Sequence, residues 1–354
     1  MSAIENYAAL LTAPKTPLVV EQVPMWEPEA NEVLVKVHAV AFAPLDRKIY
    51  DGLIPAKQSF PVTLGTDLSG VIVSVGADVE GFKAGDRIAA FTSAALSGAA
   101  RRGAFQQYAS VPGITTTKIP DDVSFEEGAV LPLAIATASA GLFQPDFLNL
   151  SLPSSSSAAP SVRDQPHKTL LVTGGASSVG SAAVQLASAA GLRVIATASP
   201  AHFELVRSLG AAVVVDYRSA TAVEDVLSAI EEAGGDFAGA FDAPGSEAST
   251  ALAVQVAARV KSGKRFVATT SRAELDLPEG VLSGAVFALD PVFKNNGALA
   301  RALYADFVPA ALAAGLLKPA PKPLVVGEGL KEVQQGLEAL EKRVSGNKVV
   351  ARIA

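Results

Sequence analysis

Leu171-Val172-Thr173-Gly174-Gly175-Ala176-Ser177-Ser178-Val179-Gly180-Ser181 lies between an apolar run and a helical pattern. Residues of these types at this spacing can form a turn that grips a phosphate. The first glycine permits the tight turn, and a small residue next lets the backbone approach the anion. The last glycine lets helix pack on strand, and the helix N-terminus supplies partial positive charge. Ser177 replaces the usual middle glycine, so the fingerprint is Gly175-x-Ser177-x-x-Gly180. Serine is small enough to keep the approach close and can itself donate to phosphate. Gly174, Gly175, Ser177, Ser178, Val179 and Gly180 are thus candidate contacts to the pyrophosphate of a dinucleotide. A Gly/Ser-rich turn that merely joins strand to helix would look the same in isolation, so the surrounding elements decide.

The residues past this loop bear on which dinucleotide it holds. A site for NAD usually ends the second strand in Asp or Glu, roughly 20 residues on, to bind the ribose hydroxyls. Here that strand ends Ala196-Thr197-Ala198-Ser199-Pro200-Ala201-His202, with no carboxylate before Glu204. The Ser199 hydroxyl and His202 would welcome a 2′-phosphate, and no charge would repel it. Tyr217 and Arg218, beyond the third strand, are further candidates. The expected cofactor is NADPH. Ser199-Pro200 is also an ordinary helix start, and the missing acid is the stronger half of the argument.

Other chemistry is bounded by composition. Cysteine count is zero, so disulfides and thiolate metal sites are impossible. His38, His167 and His202 lie far apart without ligand spacing. Net charge is −6 with no run of basic residues, which argues against nucleic acid as a partner. The N-terminus carries Glu5 and no basic region and does not read as a signal peptide. Gly128 to Pro145 is uncharged but reads as a buried helix, not a membrane span. A soluble, cytoplasmic protein is expected.

The elements that must position these residues follow from periodicity. With 354 residues the chain suits two domains. The first third is rich in strand signals: Asn31 to Val40, Val62 to Gly76, a strand opened by Gly85 to Ile88, and Gly103 to Tyr108. Such spacing suggests a small antiparallel barrel. Ser124 with Glu127 forms a capping box before an apolar run. Ser151 to Lys168, rich in Ser and Pro, reads as a mobile surface loop. From Thr169 onward strand and helix alternate: strands 170–173, 193–198, 212–216, 237–242 and 264–269, with helices 178–190, 203–209, 221–233 and 246–260 between them. That alternation forces a doubly wound parallel α/β sheet of Rossmann type. The tail reads as helices 299–314 and 331–342 and a closing strand 348–353.

Several ordered motifs resemble the medium-chain dehydrogenase/reductase superfamily, in its zinc-free quinone oxidoreductase and enoyl reductase branch. They are Ala43-Pro44-Leu45-Asp46-Arg47-Lys48, Gly65-Thr66-Asp67-Leu68-Ser69-Gly70, Phe82 to Arg87, Gly103-Ala104-Phe105, Leu131-Pro132 with Ala136-Thr137-Ala138, the phosphate loop, and Ser345 to Val350. They span nearly the whole chain. The Ser/Pro-rich insert also resembles fungal trans-acting enoyl reductases that serve polyketide synthases. Zinc-dependent members carry Gly-His-Glu where this chain has Gly65-Thr66-Asp67, and they need cysteine ligands. The resemblance implies that the C-terminal segment completes a discontinuous GroES-like barrel domain, residues 1–136 and 292–354, around a Rossmann domain, 137–291. In that branch the motif holding Asp46 usually begins with Asn and often has Tyr where this chain has Lys48. Lysine there resembles the polyketide-type enoyl reductases.

Hydride transfer needs an electrophilic carbon held against the nicotinamide and a group that stabilises charge arriving on the acceptor. Without a metal, the easier acceptor is a double bond conjugated to a carbonyl, such as an enone or enoyl thioester, since its charge spreads into an enolate. Lys48 is the candidate donor to substrate or cofactor ribose. Thr137 resembles the threonine that contacts the nicotinamide in related reductases. Alone, Lys48 would be a solvated charge and Thr137 a helix residue bonding its own backbone. Asp46 and Asp67 read as short acids capping neighbouring amides, and His38 as a half-buried packing residue. Asp242-Ala243-Pro244-Gly245 ends a parallel strand where ligands bind such sheets, so Pro244 is expected to border the cofactor. Reduction of quinones, and a non-catalytic NADPH-binding sensor or partner of a synthase, remain open alternatives. Related enzymes occur as monomers and homodimers.

Overall fold

In the computed structural model, residues 4–153, 168–342 and 344–353 are described; the side chains at 290, 293, 295 and 296 are not. Most of the Ser/Pro-rich stretch therefore lies outside the described residues. The strands are β1 (Asn6–Leu11), β2 (Val19–Val23), β3 (Glu32–Ala41), β4 (Val62–Thr63), β5 (Asp67–Val75), β6 (Arg87–Phe91), β7 (Tyr108–Pro112) and β8 (Thr116–Lys118). They continue as β9 (Thr169–Thr173), β10 (Arg193–Ala198), β11 (Ala211–Asp216), β12 (Phe237–Asp242), β13 (Phe266–Thr269), β14 (Leu282–Ala285), β15 (Lys322–Glu328) and β16 (Asn347–Arg352). The helices that matter for the site are α1 (Pro44–Tyr50), α2 (Ala94–Ser97), α3 (Phe125–Ala129), α4 (Pro132–Phe143), α5 (Ser178–Ala189), α6 (Phe203–Ser208), α7 (Ala222–Ala233) and α8 (Glu247–Arg259).

The chain divides into two compact units. One comprises Met1–Leu133, Leu303–Ala313 and Pro319–Ala354; the other comprises Ala134–Ala302 and Ala314–Lys318. In the second unit the strand order is β11-β10-β9-β12-β13-β14, and every pairing is parallel. β9 and β12 are buried at every residue, the unbroken apolar reading of a strand covered on both faces. α5, α6, α7 and α8 supply those faces. The expected doubly wound sheet is present, and β14 adds an edge strand to the five expected. β14 is short, and half of its residues are exposed. The apolar run that marks the inner strands is absent there.

The first unit holds a three-stranded sheet, β2-β1-β4, and a larger sheet ordered β15-β16-β3-β5-β6-β8, with β7 pairing β3. This is the unit expected to form the GroES-like barrel. It is not wholly antiparallel: β15 and β16 pair in parallel. The strand expected at 103–108 begins instead at Tyr108. Gly103 to Gln107 is consumed by a turn in which the Gln106 side chain donates to the Gly103 carbonyl (2.6 Å). β15 was also not anticipated, since Pro323 interrupts its pattern and most of its side chains are exposed or half-exposed. The expected helix 299–314 is broken into α-helical turns around a π-helical stretch, Ala302–Phe307. The capping box at α3 is formed as expected: the Ser124 hydroxyl accepts from the Glu127 N–H (3.2 Å) and the Glu127 carboxylate from the Ser124 N–H (3.0 Å).

Candidate functional site

The phosphate loop is closed by short-range bonds. Ser177 is the N-cap of α5, its Oγ accepting the Gly180 N–H at 3.0 Å, and the Ser181 hydroxyl donates back to the Gly175 carbonyl at 3.1 Å. The Gly174 N–H donates to Thr197 Oγ1 (3.1 Å), and the Gly175 N–H to the Thr197 carbonyl (2.8 Å), which lashes the turn to β10. Gly174 has φ +65°, a conformation favouring glycine, and its missing Cβ leaves room for the Pro244 ring. A Cβ on Gly180 would run into the Gly174 carbonyl oxygen. Gly174, Gly175, Ser177, Gly180 and Pro244 are thus brought together.

This cradle fits a pyrophosphate. The N-terminus of the twelve-residue α5 opens beside it. Ser178 Oγ is buried and has no hydrogen-bond partner among the described residues, the state of a donor built to meet a ligand oxygen. The Ser177 hydroxyl accepts the Gly180 N–H and keeps its own O–H, so both serines can donate to a ligand oxygen. Val179 is half-buried.

Beneath the loop sits Asp242, fully buried at the C-terminal end of β12. Its carboxylate accepts from the hydroxyls of Thr173 (2.7 Å), Thr250 (2.6 Å) and Thr269 (2.8 Å). Three threonines therefore tie the ends of β9 and β13 and the start of α8 to one acid. From the sequence, the Asp242 turn carries only backbone significance. The threonines carried no visible signal, because they come from three separate elements.

Ser199 and Tyr217 extend β10 and β11 just past the register pair Ala198–Asp216, so they share one stretch of the sheet's C-terminal edge. Ser199 and His202 are half-buried, and the Tyr217 ring is exposed. Arg218 is exposed and donates through Nε to Asp216 Oδ1 (3.1 Å), holding that carboxyl below its ordinary range.

In the other unit, α1 and the Gly65-Thr66-Asp67 segment form a second polar centre. Asp46 is fully buried; Oδ2 accepts the Ala43 N–H (2.8 Å) and Oδ1 the Gly65 N–H (3.2 Å). Burial pushes its carboxyl up to about 7, opposed by the Ala43 amide and reinforced by the charge of Asp67. Asp67 is buried too, and burial raises it as well. Its Oδ2 accepts from Lys348 Nζ (3.0 Å) and its Oδ1 from the Leu133 N–H (2.7 Å). Both acids do serve amides, as expected, but the lysine was not foreseen, since Lys348 lies 281 positions along the chain from Asp67. Lys48 is exposed on the last turn of α1. Thr137 is half-buried in α4 and belongs to the other unit. His38 is half-buried and stacks on Phe125 (4.4 Å between ring centroids). Among the described residues no group of three or more His, Cys, Asp or Glu side chains is placed to hold a metal ion, and no helix is long and apolar enough to cross a membrane.

Comparison with known proteins agrees with this architecture. Residues 29–121 match the family model "Alcohol dehydrogenase GroES-like domain", and residues 178–279 match "Zinc-binding dehydrogenase". The chain is 36% identical to the zinc-binding alcohol dehydrogenase domain-containing protein cipB of Emericella nidulans, over 99% of both chains. It is 35% identical to the trans-enoyl reductase himH of Aspergillus japonicus, over 91% of this chain and 90% of that one. A solved alcohol dehydrogenase superfamily protein from Novosphingobium aromaticivorans superposes with a TM-score of 0.77 at 26% identity, over 99% of this chain and all of that one. Parallel Rossmann sheet, GroES-like sheet and full-length relatives together place the chain in the medium-chain dehydrogenase/reductase superfamily, in its enoyl reductase branch.

Proposed function

We propose that the protein reduces a carbon–carbon double bond conjugated to a carbonyl, with NADPH as reductant and without zinc. The observation that carries this reading is the occupation of Asp67. In zinc-dependent members the Gly65-Thr66-Asp67 position reads Gly-His-Glu; here Thr66 replaces the histidine, and Asp67 is engaged by Lys348 and the Leu133 amide. The chain has no cysteine to complete a thiolate set. Charge arriving on the acceptor must then be held by hydrogen-bond donors, which suits an enolate better than an alkoxide. When bound, NADPH supplies the hydride.

Around it the chain's own residues divide the work. The α5 amides and Ser178 receive the pyrophosphate. Ser199, His202, Tyr217 and Arg218 take the 2′-phosphate, with the Arg218 guanidinium shared with Asp216. Pro244 borders the nucleotide, Thr137 contacts the nicotinamide, and Lys48 donates to substrate or ribose. The trans-enoyl reductase relatives favour an enone or enoyl thioester as substrate. We further propose a role in secondary metabolism with a polyketide synthase as partner, and a cytoplasmic monomer or homodimer.

Steady-state assays test this reading. With a conjugated enoyl thioester, kcat/KM for NADPH should exceed that for NADH by at least about tenfold, the worth of one charge-assisted contact to phosphate. Lys48→Ala should lower kcat by about 10- to 100-fold. Equal or better use of NADH would remove the NADPH assignment. Turnover of quinones alone would move the chain to that chemistry, and nucleotide binding without any turnover would make it a sensor.

A further inference from the structure

The start of α4 lacks a cap of its own. Leu131 before it has no side-chain acceptor, Pro132 has no N–H, and the first turn contains no acid. Helices ordinarily meet their first amides with a local Ser, Thr, Asp or Asn. Here the first available amide, Leu133 N–H, donates to Asp67 Oδ1 at 2.7 Å, from a strand 66 positions away. The other carboxylate oxygen is held by Lys348 Nζ at 3.0 Å, and both side chains are buried. On the same turn the Tyr304 hydroxyl, from the π-helical stretch 302–307, donates to the Pro132 carbonyl at 2.6 Å. Thr137 lies one turn beyond Leu133, where its backbone closes on the turn that Asp67 holds.

We propose that Asp67, fixed by Lys348, is a positioning residue: it acts as a remote N-cap that orders the first turns of α4 and so the placement of Thr137. This rests on the reading above, in which Thr137 contacts the nicotinamide. Asp67 then does two things with its two oxygens. One satisfies a helix donor and its dipole; the other binds the cation that makes the buried charge tolerable. The capping role requires an acceptor at Oδ1, whereas simple charge balance does not.

Two neutral pairs separate those roles. D67N/K348Q keeps an oxygen for the Leu133 N–H and lets the new amides bond each other. D67L/K348M is also neutral but removes the carboxylate oxygen that the Leu133 N–H meets. We expect D67N/K348Q to retain turnover within about threefold of the parent. D67L/K348M should lose at least about tenfold in kcat, as a small misplacement at a reacting centre does, with the dissociation constant for NADPH unchanged within about twofold. Hydrogen exchange at Leu133 to Thr137 should quicken by about tenfold or more in D67L/K348M, while β5 stays protected. Parental kcat and exchange in D67L/K348M would overturn the proposal, as would equal losses in the two pairs. Should the apolar pair not fold, exchange on the parent decides: a Leu133 amide protected like those of β5 supports the cap, and one that exchanges like a frayed helix end overturns it. A parent without turnover on any conjugated acceptor defeats the functional reading instead, and the exchange measurement still tests the cap.

Discussion

The phosphate loop in one unit and the carboxylate centre in the other are both closed by buried polar contacts, yet they draw on very different lengths of chain. The loop's bonds join residues 3, 6 and 23 positions apart. Those around Asp67 join residues 66 and 281 positions apart. The two centres also neutralise buried acid differently. Asp242 beneath the loop is served by three hydroxyls, and Asp67 by a lysine and an amide. A local motif can be built by backbone conformation alone, because glycine and a serine cap suffice to shape it. A long-range centre needs the whole sheet to be assembled before its charges meet.

Substitutions should break this contrast in a definite order. The largest effect is expected at Gly180. Valine there would collide with the Gly174 carbonyl and close the cradle, so NADPH affinity should fall by at least about 100-fold, or ~2.7 kcal/mol, by calorimetry on protein shown to be folded by circular dichroism. Wild-type affinity in Gly180→Val would mean that the loop is only a connector.

Next comes Asp242→Ala, which strips three threonine hydroxyls of their acceptor. It should cost about 2–4 kcal/mol in urea unfolding. Asp242→Asn, which keeps one acceptor oxygen, should cost less. A loss within about 0.5 kcal/mol for the alanine would show that the hydroxyls find other partners.

The smallest effect is a pH slope in the other unit. The Asp46 carboxyl is raised to about 7 in the fold from an ordinary value of 3.8, so the folded state binds the extra proton between those values. Its contribution is present in full at low pH and is lost as pH climbs from about 4 to about 7. Glu32 behaves in the opposite sense. Burial raises its carboxyl, but bonds from Arg101 and Ser110, with further help from Arg102, outweigh that and lower it to about 2. Its contribution is present at neutral pH and fades as pH falls from about 4.5 to about 2. Asp46→Asn should therefore shrink the difference in urea midpoint between pH 5 and pH 8. An unchanged difference would show that Asp46 is ionised throughout.

The parallel sheet was legible because β9, β10 and β12 are apolar runs of strand length separated by helical patterns, the first of them opened by the Ser177 cap. Their ends fell within a residue of those expected, since capping residues such as Ser177 mark a boundary chemically. β14 and β15 were not legible, since edge strands bury little and lack the pattern. The broken helix at 298–313 reads as one period in the sequence. Its π-helical stretch depends on how Leu303, Tyr304 and Phe307 are buried, which no period encodes.

By itself the amino-acid sequence determined the Gly/Ser turn that opens α5, the absence of thiolate ligands and the missing acid after β10, because each depends on residue type within a short window. The tertiary structure alone decided that Lys348 meets Asp67, that Asp67 caps α4, and that three threonines converge on Asp242. Those contacts link separate strands and helices. Burial makes an unpaired polar group costly and so enforces these contacts, and burial exists only once the chain has folded.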